Sequence, residues 1–525
     1  MSTSHDTDAS GDQGIESPPQ SLAATMLKLG PGIIIAGSIV GSGELIATTI
    51  VGAEAGFWLL WLIIVGCVIK VFAQVEFGRY TLIHRETPLA ALNSLPGPRL
   101  VVNWLIWYWV FVTLLVMTQQ GGIVGGVGQA LTISFPLTEV GREANELDSA
   151  IVKSRIELAQ KQRFEAEKEG EIHQLQQQLD SRIANLDQHR NAFGEPLDAY
   201  LWSSLLAVVT SILLYVGHYR FIQMVCIVFV GSFTLMTVAT VVLLQTNPSW
   251  QIETSDIIQG LSFRLPPTDA ARSTSPLSTA LFAFGIIGVG AVELIAYPYW
   301  CLEKGYARFT GKDDGSADWV ARARGWLRVL RMDAWTSMIV YTIATVAFYL
   351  LGAAVLYRSG LIPQKADMIL TLSEMYVPVF GTWAQPVFLF GSFAVLYSTF
   401  FVAAAGMARM VADALILFGL LPPEKRSRGT QIISVIWPLI AALCYWVVGW
   451  ALKGQSPAVM VMASGAGQAV MLPMLGFATL YFRYRRCHPG LVPNKWWDAC
   501  LWISIVGFAI AGGWTFISVI TKGFG

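Results

Sequence analysis

Charged residues are scarce in this chain of 525 residues, because Asp, Glu, Lys and Arg together supply only 13% of it. A soluble domain has roughly 25%. Hydrophobic residues supply 54%, and the mean hydropathy is +0.54. This composition predicts an all-α polytopic membrane protein embedded in a lipid bilayer. The formal net charge of +0 gives no support to a nucleic-acid partner.

Histidine and cysteine are also rare, with six of each. The cysteines are scattered, and no spacing resembles a zinc knuckle or a disulfide framework. The sequence offers neither a phosphate-binding loop nor a nucleophile beside a base. We therefore expect neither an enzyme nor an ATP-driven pump, and we expect no cofactor.

Long apolar stretches of about 20 residues, the length that spans a bilayer, occur eleven times. Their approximate bounds are 31–55, 57–79, 100–122, 199–216, 220–244, 278–300, 333–356, 382–414, 430–450, 457–481 and 497–520. If the N-terminus is cytoplasmic, the inner loops carry most of the Lys and Arg residues, as the positive-inside rule requires. We expect a multi-pass protein of the cell (inner) membrane. The polar residues 1–27 lack the features of a signal peptide and are predicted to be a disordered cytoplasmic tail.

A polar insert at 137–198 separates the third and fourth spans. Apolar residues recur in it at helical spacing in two runs, which predicts a helical hairpin of two antiparallel amphipathic helices. The topology places this hairpin outside the cytoplasm. Its narrow apolar stripe suits a solvated spacer, or a docking surface for a partner protein or for a second copy of the chain.

The tetrapeptide Glu-Leu-Ile-Ala occurs twice, at 44–47 in the first span and at 293–296 in the sixth. Each copy follows a Gly-rich segment, and Gly costs about 1 kcal/mol relative to Ala within a helix. We expect both helices to open there. Carbonyl groups near Gly41 and Gly290, with the carboxylates of Glu44 and Glu293, would form an oxygen-rich cation site. Alternatively, each Glu caps its own broken helix and meets no substrate.

Several segments resemble the Nramp family of divalent-metal transporters. They are Gly-Pro-Gly-Ile at 30–33, Gly-Phe-Trp-Leu-Leu-Trp at 56–61, Gln-Val-Glu-Phe-Gly-Arg-Tyr at 74–80 and Gly-Ile-Ile-Gly at 285–288. The resemblance implies a LeuT-type fold of two inverted five-span repeats plus one extra span. The expected division is 28–136 for spans 1 to 3, 137–198 for the hairpin, 199–244 for spans 4 and 5, 278–481 for spans 6 to 10, and 497–520 for span 11.

The chain departs from that family at the metal-binding motifs. Gly41-Ser42-Gly43-Glu44 replaces the family's Asp-Pro-Gly-Asn, and Val292-Glu293-Leu294 lies where the family has Met-Pro-His. Loss of the Met thioether favours harder cations such as Mg²⁺ or Mn²⁺. Gln468 in the tenth span is a further candidate, either as an oxygen ligand or as an interhelical hydrogen-bonding residue.

The sequence therefore favours a secondary transporter that moves a divalent cation by alternating access. A second reading is an amino-acid or amine permease of the same superfamily, in which backbone N–H groups at Gly41-Ser42-Gly43 bind a substrate carboxylate. A third is a sensor or scaffold that acts through the outer hairpin without transport.

Overall fold

A computed structural model describes residues 14–164, 168–194, 196–216, 219–267, 275–363, 368–451 and 457–522. Within these residues, ten helices are long and apolar enough to cross a membrane, and a broken sixth helix completes the predicted eleven. The membrane helices are Pro31–Ala55, Leu60–His84, Trp104–Ser134, Asp198–Val216, Tyr219–Leu244, Pro276–Phe284 with Ala291–Lys304, Ala317–Tyr357, Ala384–Leu417, Arg426–Ala451, Pro457–Arg486 and Lys495–Lys522. We number them 1 to 11.

Short elements join these helices. They are the helices Leu22–Lys28, Pro88–Asn93, Thr254–Gly260, Tyr306–Thr310, Met368–Ser373, Glu374–Tyr376, Val377–Phe380, Gly381–Trp383, Pro423–Lys425 and Pro489–Leu491, and the antiparallel strands Arg99–Leu100 and Val102–Asn103. Helix 7 begins well before the predicted stretch 333–356, because its polar first turns continue the helix beyond the apolar segment.

Helix 1 lies at the centre of the bundle, in contact with helices 5, 6, 7 and 8. Peripheral helices instead expose large apolar side chains, such as Ile212, Leu235, Leu443 and Ile510. Broad apolar surface of this kind suits lipid contact rather than water. The first half of helix 6 packs against helix 10 through Gly285, where a Cβ atom would overlap the carbonyl oxygen of Gly465. Small residues permit such close helix contacts in membranes.

The predicted hairpin is present as the helices Glu139–Phe164 and Glu169–Phe193. Its own small core consists of Ile151, Leu158, Leu179 and Leu186. Asp198 fixes its base, because the carboxylate accepts hydrogen bonds from Leu137 N at 2.6 Å and Thr138 N at 2.9 Å. The insert is therefore a separately packed unit attached at the start of helix 4.

The expectation of a disordered tail needs correction for residues 14–27, whereas 1–13 lie outside the described residues. Residues Leu22–Lys28 form a helix. The backbone of Glu16 pairs with the Phe309 carbonyl at 3.1 Å, and the Trp326 indole donates to the Glu16 carbonyl at 2.9 Å. Packing against Phe309 and Trp326 orders a segment whose composition alone favours disorder.

A buried carboxylate on helix 7 joins three membrane helices at the end of the bundle where helix 1 begins. Asp333 accepts hydrogen bonds from the backbone of Gly30 at 2.8 Å and of Gly32 at 2.6 Å. The Tyr297 hydroxyl of helix 6 donates to it at 3.1 Å. These bonds satisfy N–H groups that a helix N-terminus otherwise leaves free.

Candidate functional site

Helix 6 is interrupted, as predicted, between Phe284 and Ala291. Gly288 adopts a φ of 61°, which is the left-handed conformation that favours Gly. The interruption leaves carbonyl groups at the end of one half-helix and N–H groups at the start of the next without helical partners. Within a membrane these groups need partners from the protein, water or a ligand.

Helix 1 does not open at Gly41 to Gly43, so this part of the prediction is wrong. The chain instead forms a nine-residue π-helix over Val40–Thr48, continuous with the flanking α-helices. The Gly41 N–H donates to Thr399 Oγ1 at 2.9 Å, and a Cβ at Gly41 would overlap that hydroxyl. Wider π-turns accommodate the Gly-rich segment without freeing its backbone. The N–H of Gly41 on which the permease reading relies is thus already bonded.

Glu44 binds across to the break in helix 6 and is completely buried. Its Oε1 accepts a hydrogen bond from Gly288 N at 3.0 Å, and the Thr345 hydroxyl of helix 7 lies 2.8 Å from the same oxygen. Its Oε2 is buried and has no hydrogen-bond partner within the described residues. Glu44 therefore caps the break with one oxygen, and its other oxygen makes no hydrogen bond with the described residues.

Glu293 lies on the wall of a small cavity of about 20 Å³ between helices 1, 3, 6, 8 and 10. Other polar residues of the wall are Ser38, Ser42, Gln119, Gln120, Thr399 and Gln468, and Glu44 does not line it among the described residues. Ser38 Oγ donates to Glu293 Oε1 at 3.2 Å. The two carboxylates thus face the same break from different sides in this conformation.

Gln468, the further candidate from the tenth span, lies beside Gly290. Its Oε1 accepts from Val292 N at 3.3 Å, and its Nε2 donates to Gln119 Oε1 at 2.8 Å. This contact makes Gln468 an interhelical hydrogen-bonding residue. A carbonyl oxygen has a second lone pair, so Oε1 can still serve as a ligand.

Lys70 of helix 2 is a site residue that our reading of the sequence missed. It is fully buried, and its ammonium donates to the carbonyls of Phe284 and Ile287 at the break. The sequence contains a signal for Lys70, because a lone charged residue within an apolar span indicates function. Lys70 occupies two of the carbonyl groups that were expected to surround a cation.

Gly290 has no side chain and so leaves room for the Glu293 carboxylate. We expect Gly290→Ala to weaken metal binding by about tenfold, because loss of a supporting contact has an effect of that size in metal sites. The new Cβ would overlap Glu293 Oε2 and lie 3.1 Å from Gln468 Oε1. Isothermal calorimetry on purified protein measures the change. Gly513→Ala is the matched control, because a Cβ at Gly513 meets no atom within 4 Å. Equal metal affinity in both variants would contradict the placement of the site.

Within the described ranges, no group of three or more His, Cys, Asp or Glu side chains could hold a metal ion. A cation at this break would instead use Glu293, the free oxygen of Glu44, and amide or carbonyl oxygens. A broken membrane helix, buried carboxylates beside it and a cavity between helices define a membrane transporter of the LeuT-type fold.

The chain belongs to the Nramp family, since the family model "Natural resistance-associated macrophage protein-like" matches residues 191–520. It is therefore a metal-ion transporter and not an enzyme. A search of curated proteins gives no match.

Solved structures agree on the fold. A variant of the Eremococcus coleocola manganese transporter is 13% identical, with a TM-score of 0.65 over 98% of this chain and 93% of that chain. The same transporter in complex with an aromatic bis-isothiourea substituted compound is 13% identical and has a TM-score of 0.58 over 98% and 92%. MhsT in complex with L-phenylalanine is 14% identical and has a TM-score of 0.55 over 96% of this chain and 99% of that chain. These likenesses support the predicted five-plus-five repeat with one extra helix.

Proposed function

We propose that this protein moves a divalent cation of the hard type, Mg²⁺ or Mn²⁺, across the cell (inner) membrane by alternating access. The proposal rests on one observation above all. A buried carboxylate, Glu293, lines the cavity at the break in helix 6, and the free oxygen of Glu44 lies at the same break. One of the solved structures with this fold is a manganese transporter, which supports Mn²⁺ as a candidate cargo.

Among the described residues, the oxygen atoms of carboxylate, amide and carbonyl groups predominate at the break, and this supports a hard cation. One sulfur atom also lies there, because Cys67 Sγ would be 3.4 Å from a Cβ atom at Gly288. Carboxylates, carbonyls and water suit Mg²⁺ and Mn²⁺, whereas thioethers suit softer metals. Met407 and Met410 do line the cavity. They follow Thr399 on helix 8 by two or more turns, so their Cα atoms lie about 12 Å or more along that helix from the Cα atom of Thr399.

The proposed cycle begins with capture at the cavity wall. Glu293 with Gln468 and the carbonyl oxygens near Gly290 would bind the cation first, and the free oxygen of Glu44 would join as the helices around the break rearrange. Carbonyls near Gly41 contribute only if the π-helix of helix 1 opens. In this proposal the N-terminus is cytoplasmic, because the positive-inside rule assigns the Lys- and Arg-rich loops to that side.

Uptake into liposomes tests the cargo. We expect saturable uptake of Mn²⁺ that excess Mg²⁺ inhibits, with weaker inhibition by the soft cation Cd²⁺ at equal concentration. Free amino acids should neither inhibit uptake nor alter metal binding in a calorimeter. Stronger inhibition by Cd²⁺ than by Mg²⁺ would contradict the hard-cation assignment. Inhibition of metal uptake by an amino acid would instead support the amino-acid permease hypothesis.

A further inference from the structure

Lys70 brings a positive charge into the centre of the transport site. Its side chain has no exposed surface. The ammonium lies 2.7 Å from the Ile287 carbonyl, also contacts the Phe284 carbonyl, and sits 4.5 Å from the centre of the Phe284 ring. The ring face and the carbonyl end of a helix both attract cations.

The same charge interacts with both candidate ligands. Electrostatic interactions link Lys70 to Glu44 and to Glu293, although neither carboxylate forms a hydrogen bond with the ammonium. A buried charge is costly unless charged or polar groups compensate for it. Here two carbonyls and two carboxylates supply that compensation, and the ammonium in turn balances part of their negative charge.

Lys70 and Glu44 bind different backbone groups at the break in helix 6. Lys70 binds carbonyl groups at the end of the first half-helix, whereas Glu44 binds the N–H of Gly288. Each side chain thus carries the charge that its end of the break requires. An ammonium bound by main-chain carbonyls occupies the type of position that a free monovalent cation would otherwise fill.

We propose that Lys70 is a tethered monovalent cation of the transport site, which replaces a soluble monovalent co-ion and sets the charge against which the divalent cation binds. The second part of this inference, that the ammonium sets the charge against which the divalent cation binds, rests on the proposed function. The first part concerns the protein without its cargo, because removal of the ammonium should leave a binding site for a small monovalent cation.

Removal of the side chain tests the first part. We expect purified Lys70→Ala to be stabilised against thermal unfolding by Na⁺ or methylammonium, and wild type to be unaffected in the same salts relative to N-methylglucamine. Divalent uptake by Lys70→Ala should fall about tenfold in N-methylglucamine and recover severalfold with Na⁺ or methylammonium. Lys28→Ala is the control, because Lys28 pairs with Glu16 outside the site and should gain no such dependence.

Lys70→Gln distinguishes the effect of the charge from the effect of the hydrogen bonds. It also tests the inference if Lys70→Ala does not fold. The amide can still donate to the two carbonyls, but it has no charge, so the divalent cation should bind roughly tenfold more tightly. Wild-type divalent affinity in Lys70→Gln, or thermal stability of Lys70→Ala that does not respond to monovalent cations, would overturn the inference. Absence of divalent uptake by wild type would instead count against the proposed function, and the thermal-shift comparison would still decide the role of Lys70.

Discussion

Glu293→Gln should lower divalent-metal uptake by about a hundredfold. The substitution keeps the size of the side chain and the hydrogen-bond acceptor for Ser38, but it removes the charge on the cavity wall. Loss of one partner from a buried charge pair costs about 3 kcal/mol, which corresponds to roughly a hundredfold in affinity. Initial rates of uptake into liposomes over a range of metal concentrations will show the effect.

Glu303→Gln provides the matched control on the same half-helix. Glu303 is 38% exposed and forms an ion pair with Arg409 at 2.9 Å, and exposed pairs contribute about 1 kcal/mol or less. Uptake by this variant should remain close to that of wild type. If Glu293→Gln transports as well as Glu303→Gln does, Glu293 is not a ligand and the proposed site is wrong.

Glu44→Gln should abolish the thermal stabilisation that the metal provides, while the metal-free protein unfolds at nearly its normal temperature. The amide oxygen can still accept from Gly288 N and remain beside Thr345. What changes is the second oxygen, which has no partner in the described residues and which becomes an N–H₂ group unable to bind a cation. Uptake should fall by about tenfold or more.

Glu44→Ala distinguishes this role from simple capping. It also leaves the Gly288 N–H without its acceptor, which costs about 1–3 kcal/mol, so its melting temperature should fall even without metal. Fluorescence-detected unfolding with and without Mg²⁺ measures both effects. Undiminished metal stabilisation in Glu44→Gln would assign Glu44 to helix capping alone, the alternative that the sequence left open.

Helix number and the break in helix 6 could be predicted because both depend on local sequence. Apolar length predicts a membrane helix, and Gly288 with its neighbours predicts the interruption. The hairpin followed in the same way from its helical periodicity. Each of these predictions needs only residues that are close together in the chain.

The errors arose where distant residues decide the local structure. The Gly-rich segment of helix 1 stays helical because Thr399 of helix 8 binds the Gly41 N–H, a contact that one sequence does not reveal. Residues 14–27 are ordered by Phe309 and Trp326 for the same reason. Gly content thus indicated a departure from the α-helix but could not distinguish an open turn from a π-helix.

Lys70 shows a different kind of error. Its chemistry was visible in the sequence as a charged residue in the second span, but the oxygen atoms that it contacts lie more than 200 residues away. The two carboxylates were considered without the Lys70 ammonium, so the negative charge of the site was overestimated. A pair of acidic residues in a membrane therefore warrants a search of every other span for a compensating Lys or Arg.

The Asp333 contacts have a mechanical consequence. Because the Asp333 carboxylate, near the middle of helix 7, binds the start of helix 1 and Tyr297 of helix 6, these three segments are held together and should move as one unit. Movement of this unit relative to the rest of the bundle would require helix 1 to bend, and the π-helix of Val40–Thr48 follows the cavity-lining residues Ile35 and Ser38 on that helix. We therefore expect helix 1 to bend within these wider turns when the transporter changes conformation.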